Sequence, residues 1–252
     1  MASPVDLKLA ALRACAAAAP DSLDVANGLK MAASDENELM RVGAADALGR
    51  LKPMPPSAAT ALANMMRTDR TFRVRQVAVK ALALASPPAK GVRADLEAVS
   101  KGPKDDLSFW AQFALATFES DPTKKVPIVR AGLKDRLPTV RAAALDALPM
   151  LGTPQAEDLP QLMKLLKDNS LLVRARAAAA IGKYGAAGKD AVPLLLRSLA
   201  VRDRDVQIAT IEALGAIGPA AAAAVPKLRA SAKDDEPAVA RAAKDALEKI
   251  AK

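Results

Sequence analysis

The residue types that usually carry chemistry are scarce in this 252-residue chain. It contains no histidine and one cysteine, Cys15. The absence of histidine removes the commonest general base and every Ser-His or Cys-His nucleophile. It also leaves too few ligands for zinc or most other transition metals, and no stretch has the spacing of a calcium-binding EF-hand loop. We therefore expect a protein that is not an enzyme and that binds no metal or other cofactor.

The charged residues that do recur at a fixed spacing are an aspartate and, six positions later, an arginine. Four pairs fit this pattern: Asp35 and Arg41, Asp69 and Arg75, Asp135 and Arg141, and Asp168 and Arg174. An aspartate at the start of a helix can accept backbone N–H bonds, and an arginine one turn later can reach that carboxylate or the next one along the stack. The pattern predicts a structural role for these pairs rather than an active site. Replacing Arg141 with alanine is then expected to lower stability by on the order of 1–3 kcal/mol.

These pairs belong to a longer frame that returns along nearly the whole chain. Its clearest copy is DNSLLVRARAAAAIG, residues 168–182. The residue before the arginine serves as an anchor, and the anchors lie at Met40, Val74, Trp110, Val140, Val173, Val206 and Val239, separated by 34, 36, 30, 33, 33 and 33 residues. A nearly fixed period of this size is typical of a solenoid of stacked units, each too small to bury its own apolar face.

The composition favours helices for these units. Hydrophobic residues make up 51% of the chain but aromatic residues only 2%, and alanine, which is prominent, has the best helix propensity. Four predicted first helices open with an aliphatic-Pro pair at a 33-residue spacing, at Pro127, Pro160, Pro193 and Pro226. Proline is tolerated in the first turn of a helix. Glycine after an aliphatic residue, as at Gly182 and Gly215, is expected to end second helices in the left-handed conformation.

These signals divide the chain into an N-terminal capping helix or half-repeat and seven two-helix repeats. The boundaries are about 1–20, then 21–52, 53–86, 87–121, 122–153, 154–186, 187–219 and 220–252. A start in mid-repeat is also what a fragment of a longer protein would show. The third repeat is irregular, because it concentrates most of the aromatic residues and Trp110 replaces the usual valine. Two interpretations stay open: larger core residues in a distorted repeat, or a shifted groove that receives a ligand.

Paired helices with Asp in the turn, Val-Arg five and six positions later and then Ala-Ala-x-Ala-Leu-Gly resemble HEAT repeats. The resemblance is to the short bacterial type also found in phycobilisome-lyase-like proteins, and it covers about residues 21–252. It implies an all-α fold, a right-handed α-α superhelix of about seven HEAT repeats, whose second helices line a concave surface. The resemblance also implies that the four aspartate–arginine pairs form a structural ladder along the inner turns. Repeat six departs from the pattern because Val201 replaces the aspartate and Gln207 replaces the arginine.

The leading hypothesis is a noncatalytic scaffold that binds a protein or peptide partner on this concave surface. Helical phase places outward positions two and six residues after each anchor. The partner-binding candidates among these positions are Gln76, Lys80, Gln112, Asp146, Ile208, Glu212, Arg241 and Asp245. This chemically mixed set, with few large anchors, suits a protein better than a small cofactor, which needs a deep apolar pocket.

A second hypothesis is nucleic-acid binding along a basic edge. The net charge is +9, and basic residues recur near the inner turns at Arg70, Arg73, Arg136, Arg202 and Arg204. Such a stripe could follow a phosphate backbone, but interleaved aspartates largely cancel its field and aromatics for base stacking are nearly missing there. A third hypothesis, an accessory subunit of a lyase-type enzyme, comes from the resemblance alone.

Location and assembly are weakly constrained by the sequence. No apolar run approaches the roughly 20 residues of a membrane span. A single cysteine gives no signature of an oxidising compartment. We therefore expect a cytoplasmic protein, either a monomer or part of a hetero-complex.

Overall fold

The computed structural model describes residues 4–19, 22–85, 89, 91–119 and 121–252. Within these ranges the chain forms helices joined by turns, and none of the described residues lies in a strand. This confirms the all-α prediction. The chain divides into two compact units, Met1–Ile128 and Val129–Lys252, called unit 1 and unit 2 below.

The helices of unit 1 are α1 (Pro4–Ala18), α2 (Leu23–Ala32), α3 (Glu38–Arg50), α4 (Pro56–Thr68), α5 (Phe72–Ala83), α6 (Arg93–Ser100) and α7 (Asp106–Ala116). A 3-10 segment at Pro122–Lys124 leads into α8 (Lys125–Gly132), which crosses from one unit into the next.

The helices of unit 2 are α9 (Pro138–Ala147), α10 (Leu159–Leu165), α11 (Leu171–Gly182), α12 (Val192–Ser198), α13 (Arg204–Ile217), α14 (Val225–Ser231) and α15 (Pro237–Ile250). Short 3-10 segments lie at Leu148–Leu151, Ala156–Asp158, Gly185–Ala191 and Gly218–Ala224. In unit 1, α2 packs on α3, α4 on α5 and α6 on α7, and in unit 2, α10 packs on α11, α12 on α13 and α14 on α15.

The anchor residues belong to the cores of the two units. Val74, Val173 and Val206 are completely buried, and even the most exposed anchor, Met40, has 7% of its surface exposed. In unit 1 the second helix α5 packs between α3 and α7, and in unit 2 α11 packs on α9 and α13, while α13 also packs on α15. Because second helices lie side by side, residues at the same phase in neighbouring repeats come next to one another.

Gly182 is the last residue of α11 and Gly215 lies inside α13. Neither has a positive φ angle, so their prediction as left-handed caps is wrong. The positive φ angles occur three residues later, at Gly185 with φ 53° and Gly218 with φ 72°. A Cβ atom on Gly215 would lie 2.9 Å from the Cα atom of Ala246, closer than real Cβ contacts allow. These helical glycines therefore serve close approach between neighbouring second helices rather than chain reversal.

One stretch, Arg204–Ser231, is long and apolar enough by composition to cross a membrane. It is not one straight helix, because α13 ends at Ile217, Gly218 has φ 72° and Ala221 has non-helical angles of φ −97° and ψ 18°. Val206, Ile211 and Leu214 of this stretch are completely buried within unit 2. We therefore assign the stretch to the core of the helical stack.

Candidate functional site

Arg41 and Asp69 form a rung that joins the turns of the first two helix pairs. Nε of Arg41 donates to Oδ2 of Asp69 at 2.8 Å, and Nη2 donates to Oδ1 at 3.2 Å and to Oγ1 of Thr71 at 3.1 Å. Nη1 donates to the backbone carbonyls of Asp35 and Glu36 at 2.8 and 2.9 Å. Burial alone would raise the pKa of Asp69, but the hydrogen bonds from Arg41 and from the Thr71 N–H lower it below its ordinary value.

Arg141 and Asp168 repeat this geometry in unit 2. Nε and Nη2 of Arg141 donate to the two carboxylate oxygens of Asp168 at 2.7 and 2.8 Å. Nη1 donates to the carbonyls of Asp135 and Arg136 at 2.8 and 2.9 Å. The carboxylate of Asp168 also accepts from the N–H of Ser170 at 2.9 Å. Arg41 and Arg141 thus each donate hydrogen bonds to carbonyls of the preceding turn and form a bidentate pair with the aspartate of the next repeat.

The other two predicted ladder arginines lack such a carboxylate among the described residues. Nε of Arg75 is buried without a hydrogen-bond partner, and its guanidinium lies over the ring of Phe72 at 5.2 Å. The aspartate of the next repeat, Asp105, instead caps α7 by accepting the N–H of Ser108 at 2.9 Å. Arg174 donates its Nε to the carbonyl of Asp168 and faces Val201 where the next aspartate would be.

A second set of interrepeat ion pairs, which the sequence analysis missed, joins first helices. Nη1 of Arg67 lies 2.6 Å from Oδ1 of Asp95. In unit 2, Nε of Arg130 lies 2.8 Å from Oδ1 of Asp158, and its Nη2 pairs with Glu157. The sequence signal is a spacing of 28 residues from the arginine near the end of one first helix to the aspartate near the start of the next.

A shallow groove of about 290 Å³ runs across the second helices of unit 2, and we call it the α11–α13–α15 groove. It is lined by Ala179, Gly182, Lys183, Glu212, Ala213, Gly215, Ala216, Ala242, Asp245, Ala246 and Lys249. Its floor is made of small residues, because the helices beneath it approach closely at the glycines. Two acidic and two basic side chains stand along it, and all four are exposed.

Two of the predicted concave-face residues of unit 2 line this groove, namely Glu212 on α13 and Asp245 on α15. Arg241 is exposed on α15, and Ile208 is half-buried on α13. Asp146 on α9 forms an ion pair with Arg176 of α11, so its carboxylate takes part in helix-to-helix contact.

The predicted concave-face residues of unit 1 are partly engaged in packing. The amide of Gln76 donates to the carboxylate of Asp106, and the ammonium of Lys80 lies 5.2 Å from the centre of the Trp110 ring. Gln112 is exposed on α7.

Trp110 and its aromatic neighbours belong to the core of unit 1. Its ring packs edge-to-face against Phe109 and Phe113, with centroids 5.5 and 5.7 Å apart, and all three side chains are buried. This favours the interpretation of larger core residues in an irregular repeat. The nearby Asp106 is 7% exposed, and burial raises the pKa of its carboxyl although Gln76 donates to it.

The predicted basic edge consists of exposed side chains, although several of them are already engaged. Arg70, Arg73, Arg136, Arg202 and Arg204 are all exposed. Arg70 donates to the carbonyl of Glu36 at 2.7 Å, and Arg204 lies 3.6 Å from Glu236. In each unit, at least one arginine of the basic edge therefore already contacts a neighbouring repeat.

Few of the described residues carry groups that are suited to catalysis or metal binding. Burial raises the pKa of Tyr184 to about 12, and its hydroxyl donates to the carbonyl of Gln155 at 3.1 Å. A phenol with that pKa stays protonated at neutral pH and is unsuited to act as a base. Among the described residues, no group of three or more acidic or cysteine side chains is arranged to hold a metal ion.

The family model for HEAT repeats matches residues 2–83 and 159–248, more than half of the chain. The chain therefore belongs to the HEAT-repeat family, an α-solenoid class. The family is one of helical repeats that commonly present surfaces to protein partners.

The solved structures with a similar fold include two with a TM-score of 0.51. YibA of Escherichia coli is 19% identical, with 97% of this chain and 87% of that chain covered and a TM-score of 0.51. The complex of CpcE and CpcF of phycocyanin lyase from Nostoc sp. contains a chain that is 18% identical, with 98% and 91% covered and a TM-score of 0.51. At such identities the likeness is evidence for the fold alone. A sequence search of curated proteins found no match.

Proposed function

We propose that this protein is a noncatalytic scaffold that binds a protein or peptide partner through the α11–α13–α15 groove. The observation that carries the proposal is the groove itself, a small-residue floor flanked by charged side chains of both signs. Small residues leave room for the partner's backbone and side chains, while Lys183, Glu212, Asp245 and Lys249 provide a polar rim. Protein interfaces share this arrangement of a less polar centre and a polar rim.

The shape and chemistry of the groove suit a protein better than a small molecule. Cofactor sites are usually deep and mostly apolar, whereas this groove is shallow and lined largely by alanine, glycine and charged residues. Its charged side chains are exposed and mixed in sign. Partner selection would then rest on shape and on charge pairing at the rim.

The nucleic-acid and lyase-subunit hypotheses have less support. The basic edge supplies exposed arginines, but Arg70 and Arg204 already contact neighbouring repeats. Phe72, the aromatic residue at that edge, is the ring beneath Arg75. The likeness to the phycocyanin lyase chain, at 18% identity, supports the fold alone.

The proposal is tested by placing a photoreactive phenylalanine analogue at Ala216 and, as a matched control, at Ala230. Ala216 lies in the groove on α13, and Ala230 is an exposed alanine on α14 outside it. The two proteins are irradiated in extract of the source cells, and covalent adducts are identified by mass spectrometry. We expect a discrete protein attached at Ala216 and not at Ala230.

Adducts of the same proteins at both positions would indicate non-specific contact and contradict the proposal. So would a defined adduct at Ala230 with none at Ala216, because the binding surface would then lie on the first helices. Melting curves of both labelled proteins check that the analogue leaves the fold intact.

A further inference from the structure

A second concave feature lies where the ladder of unit 2 stops, between the α10–α11 pair and the α12–α13 pair. It is a recess of about 250 Å³, called the Arg174 recess below. Its lining residues are Leu166, Lys167, Arg174, Leu194, Arg197, Ser198 and Val201. It is separate from the α11–α13–α15 groove and shares no residue with it.

Arg174 occupies the position of a ladder arginine, but among the described residues no carboxylate accepts a hydrogen bond from it. Its Nε donates to the carbonyl of Asp168, the residue six positions earlier. Its two terminal nitrogens donate to none of the described residues. In Arg141, one such terminal nitrogen and Nε hold the next repeat's aspartate, 27 residues along the chain. Twenty-seven residues after Arg174 stands Val201, which lines the same recess.

The charge of the recess is not balanced from within. Lys167, Arg174 and Arg197 line it together, and no acidic side chain does. The nearest ladder carboxylate, Asp168, is already held by Arg141 at 2.7 and 2.8 Å and by the N–H of Ser170 at 2.9 Å. A half-buried guanidinium with unused donors favours an incoming anion because charge-assisted hydrogen bonds are strong.

We propose that the Arg174 recess binds an acidic side chain of a protein or peptide partner, whose carboxylate takes the place of the missing ladder aspartate. The planar guanidinium matches a carboxylate in a bidentate pair. Leu166, Leu194 and Val201 offer apolar surface to the methylene stem of a glutamate. The hydroxyl of Ser198 already donates to the carbonyl of Leu194 at 3.2 Å, so the three cations carry the recognition.

The test measures binding of a fluorescein-labelled hexaglutamate peptide by fluorescence anisotropy at low salt. Val201→Asp supplies the carboxylate from within the chain, and Val201→Asn matches its size without the charge. Arg174→Gln removes the guanidinium without adding a charge, so it tests the same contact by an independent change. Arg229→Gln removes an exposed arginine on α14, outside the recess, and serves as the control.

We expect Val201→Asp and Arg174→Gln to weaken peptide binding by about tenfold or more, because a hydrogen-bonded charge pair of that strength is lost. Val201→Asn and Arg229→Gln should stay within about threefold of the unaltered protein. Equal affinity in all five proteins would overturn the proposal. Tighter binding of a labelled 12-mer of thymidylate, with the same sensitivity to Arg174→Gln, would also overturn it and assign the recess to phosphate. Because the probe is a free peptide, the result stands apart from that of the groove experiment.

Discussion

Removing the guanidinium of Arg141 is the sharpest test of the ladder in unit 2. Arg141→Ala deletes two hydrogen bonds to the carboxylate of Asp168 and two to the carbonyls of Asp135 and Arg136. The side chains of Arg141 and Asp168 are 15% and 8% exposed, between the surface and the deep interior. Exposed pairs contribute about 0–1 kcal/mol, while removing one partner of a buried pair costs about 3–5 kcal/mol. We therefore expect Arg141→Ala to lower the free energy of unfolding by about 2–4 kcal/mol.

The assay is urea unfolding followed by far-ultraviolet circular dichroism at pH 7. Arg136→Ala is the control, because Arg136 is adjacent, exposed and contributes only its backbone carbonyl to the rung. Exposed substitutions of that kind usually change stability by less than about 0.5 kcal/mol. If Arg141→Ala proved as mild as Arg136→Ala, the bidentate rung would contribute nothing and the ladder interpretation would be refuted.

The same rung predicts a pH dependence. Burial would raise the pKa of Asp168, but the hydrogen bonds from Arg141 and Ser170, with the charges of Arg141 and Arg174, lower it below its ordinary value of 3.8. A depressed carboxyl pKa gives stability that is present above the unfolded pKa and is lost as the pH falls through the folded one. The difference in the free energy of unfolding between the unaltered protein and Arg141→Ala should therefore become smaller below about pH 4.

Four further outcomes are expected. Val201→Asp should raise the melting temperature by pairing with Arg174, and an unchanged or lower value relative to Val201→Asn would count against that geometry. Gly215→Ala should destabilise the protein by about 1–3 kcal/mol in urea unfolding, because a Cβ there meets the backbone of α15 at 2.9 Å. Gly28→Ala, where a Cβ meets nothing within 4 Å, should instead stabilise the protein by about 0.5–1 kcal/mol. Asp106→Asn should stabilise the protein at pH 7, because burial raises the pKa of the Asp106 carboxyl and its charged form opposes folding. That gain should vanish as the pH falls towards the ordinary carboxyl value, and a gain that persists at pH 3 would contradict the assignment.

The fold was largely predictable because the residues that define each repeat form helices and turns through interactions with residues nearby in the sequence. The anchors from Met40 to Val239 recur at helical-repeat spacing, and all of them are buried. The prediction that the turn aspartates accept backbone N–H bonds was correct, since Asp35 and Asp135 accept the N–H two residues later at 2.7 and 2.8 Å. They do not cap the second helices, because the N-cap residues of α3 and α9 are Asn37 and Leu137. These interactions are decided within a few residues of the chain.

The features that sequence reasoning missed depend on distances between repeats. Helical phase placed Gln76 and Asp146 on an outward face, but it could not show that Asp106 and Arg176 meet them about 30 residues along the chain. Gly215 was assigned to a local cap because the approach of α15 is invisible in the sequence. The sequence contained one indication of the Arg174 recess, namely Val201 at the position where other repeats have aspartate. Its consequence depends on the contact between Val201 and the region of Arg174, which only the structure shows.

Affinity capture from extract of the source cells tests whether the protein is a scaffold that binds a partner through the α11–α13–α15 groove. The unaltered protein is compared with its Ala216→Trp and Ala230→Trp variants, at about 50 and about 300 mM salt, with and without nuclease. We expect a discrete protein partner that stays bound at both salt concentrations and after nuclease treatment, and that binds Ala230→Trp but not Ala216→Trp. Material lost at 300 mM salt and abolished by nuclease would contradict it, because steep salt dependence is the mark of phosphate contacts.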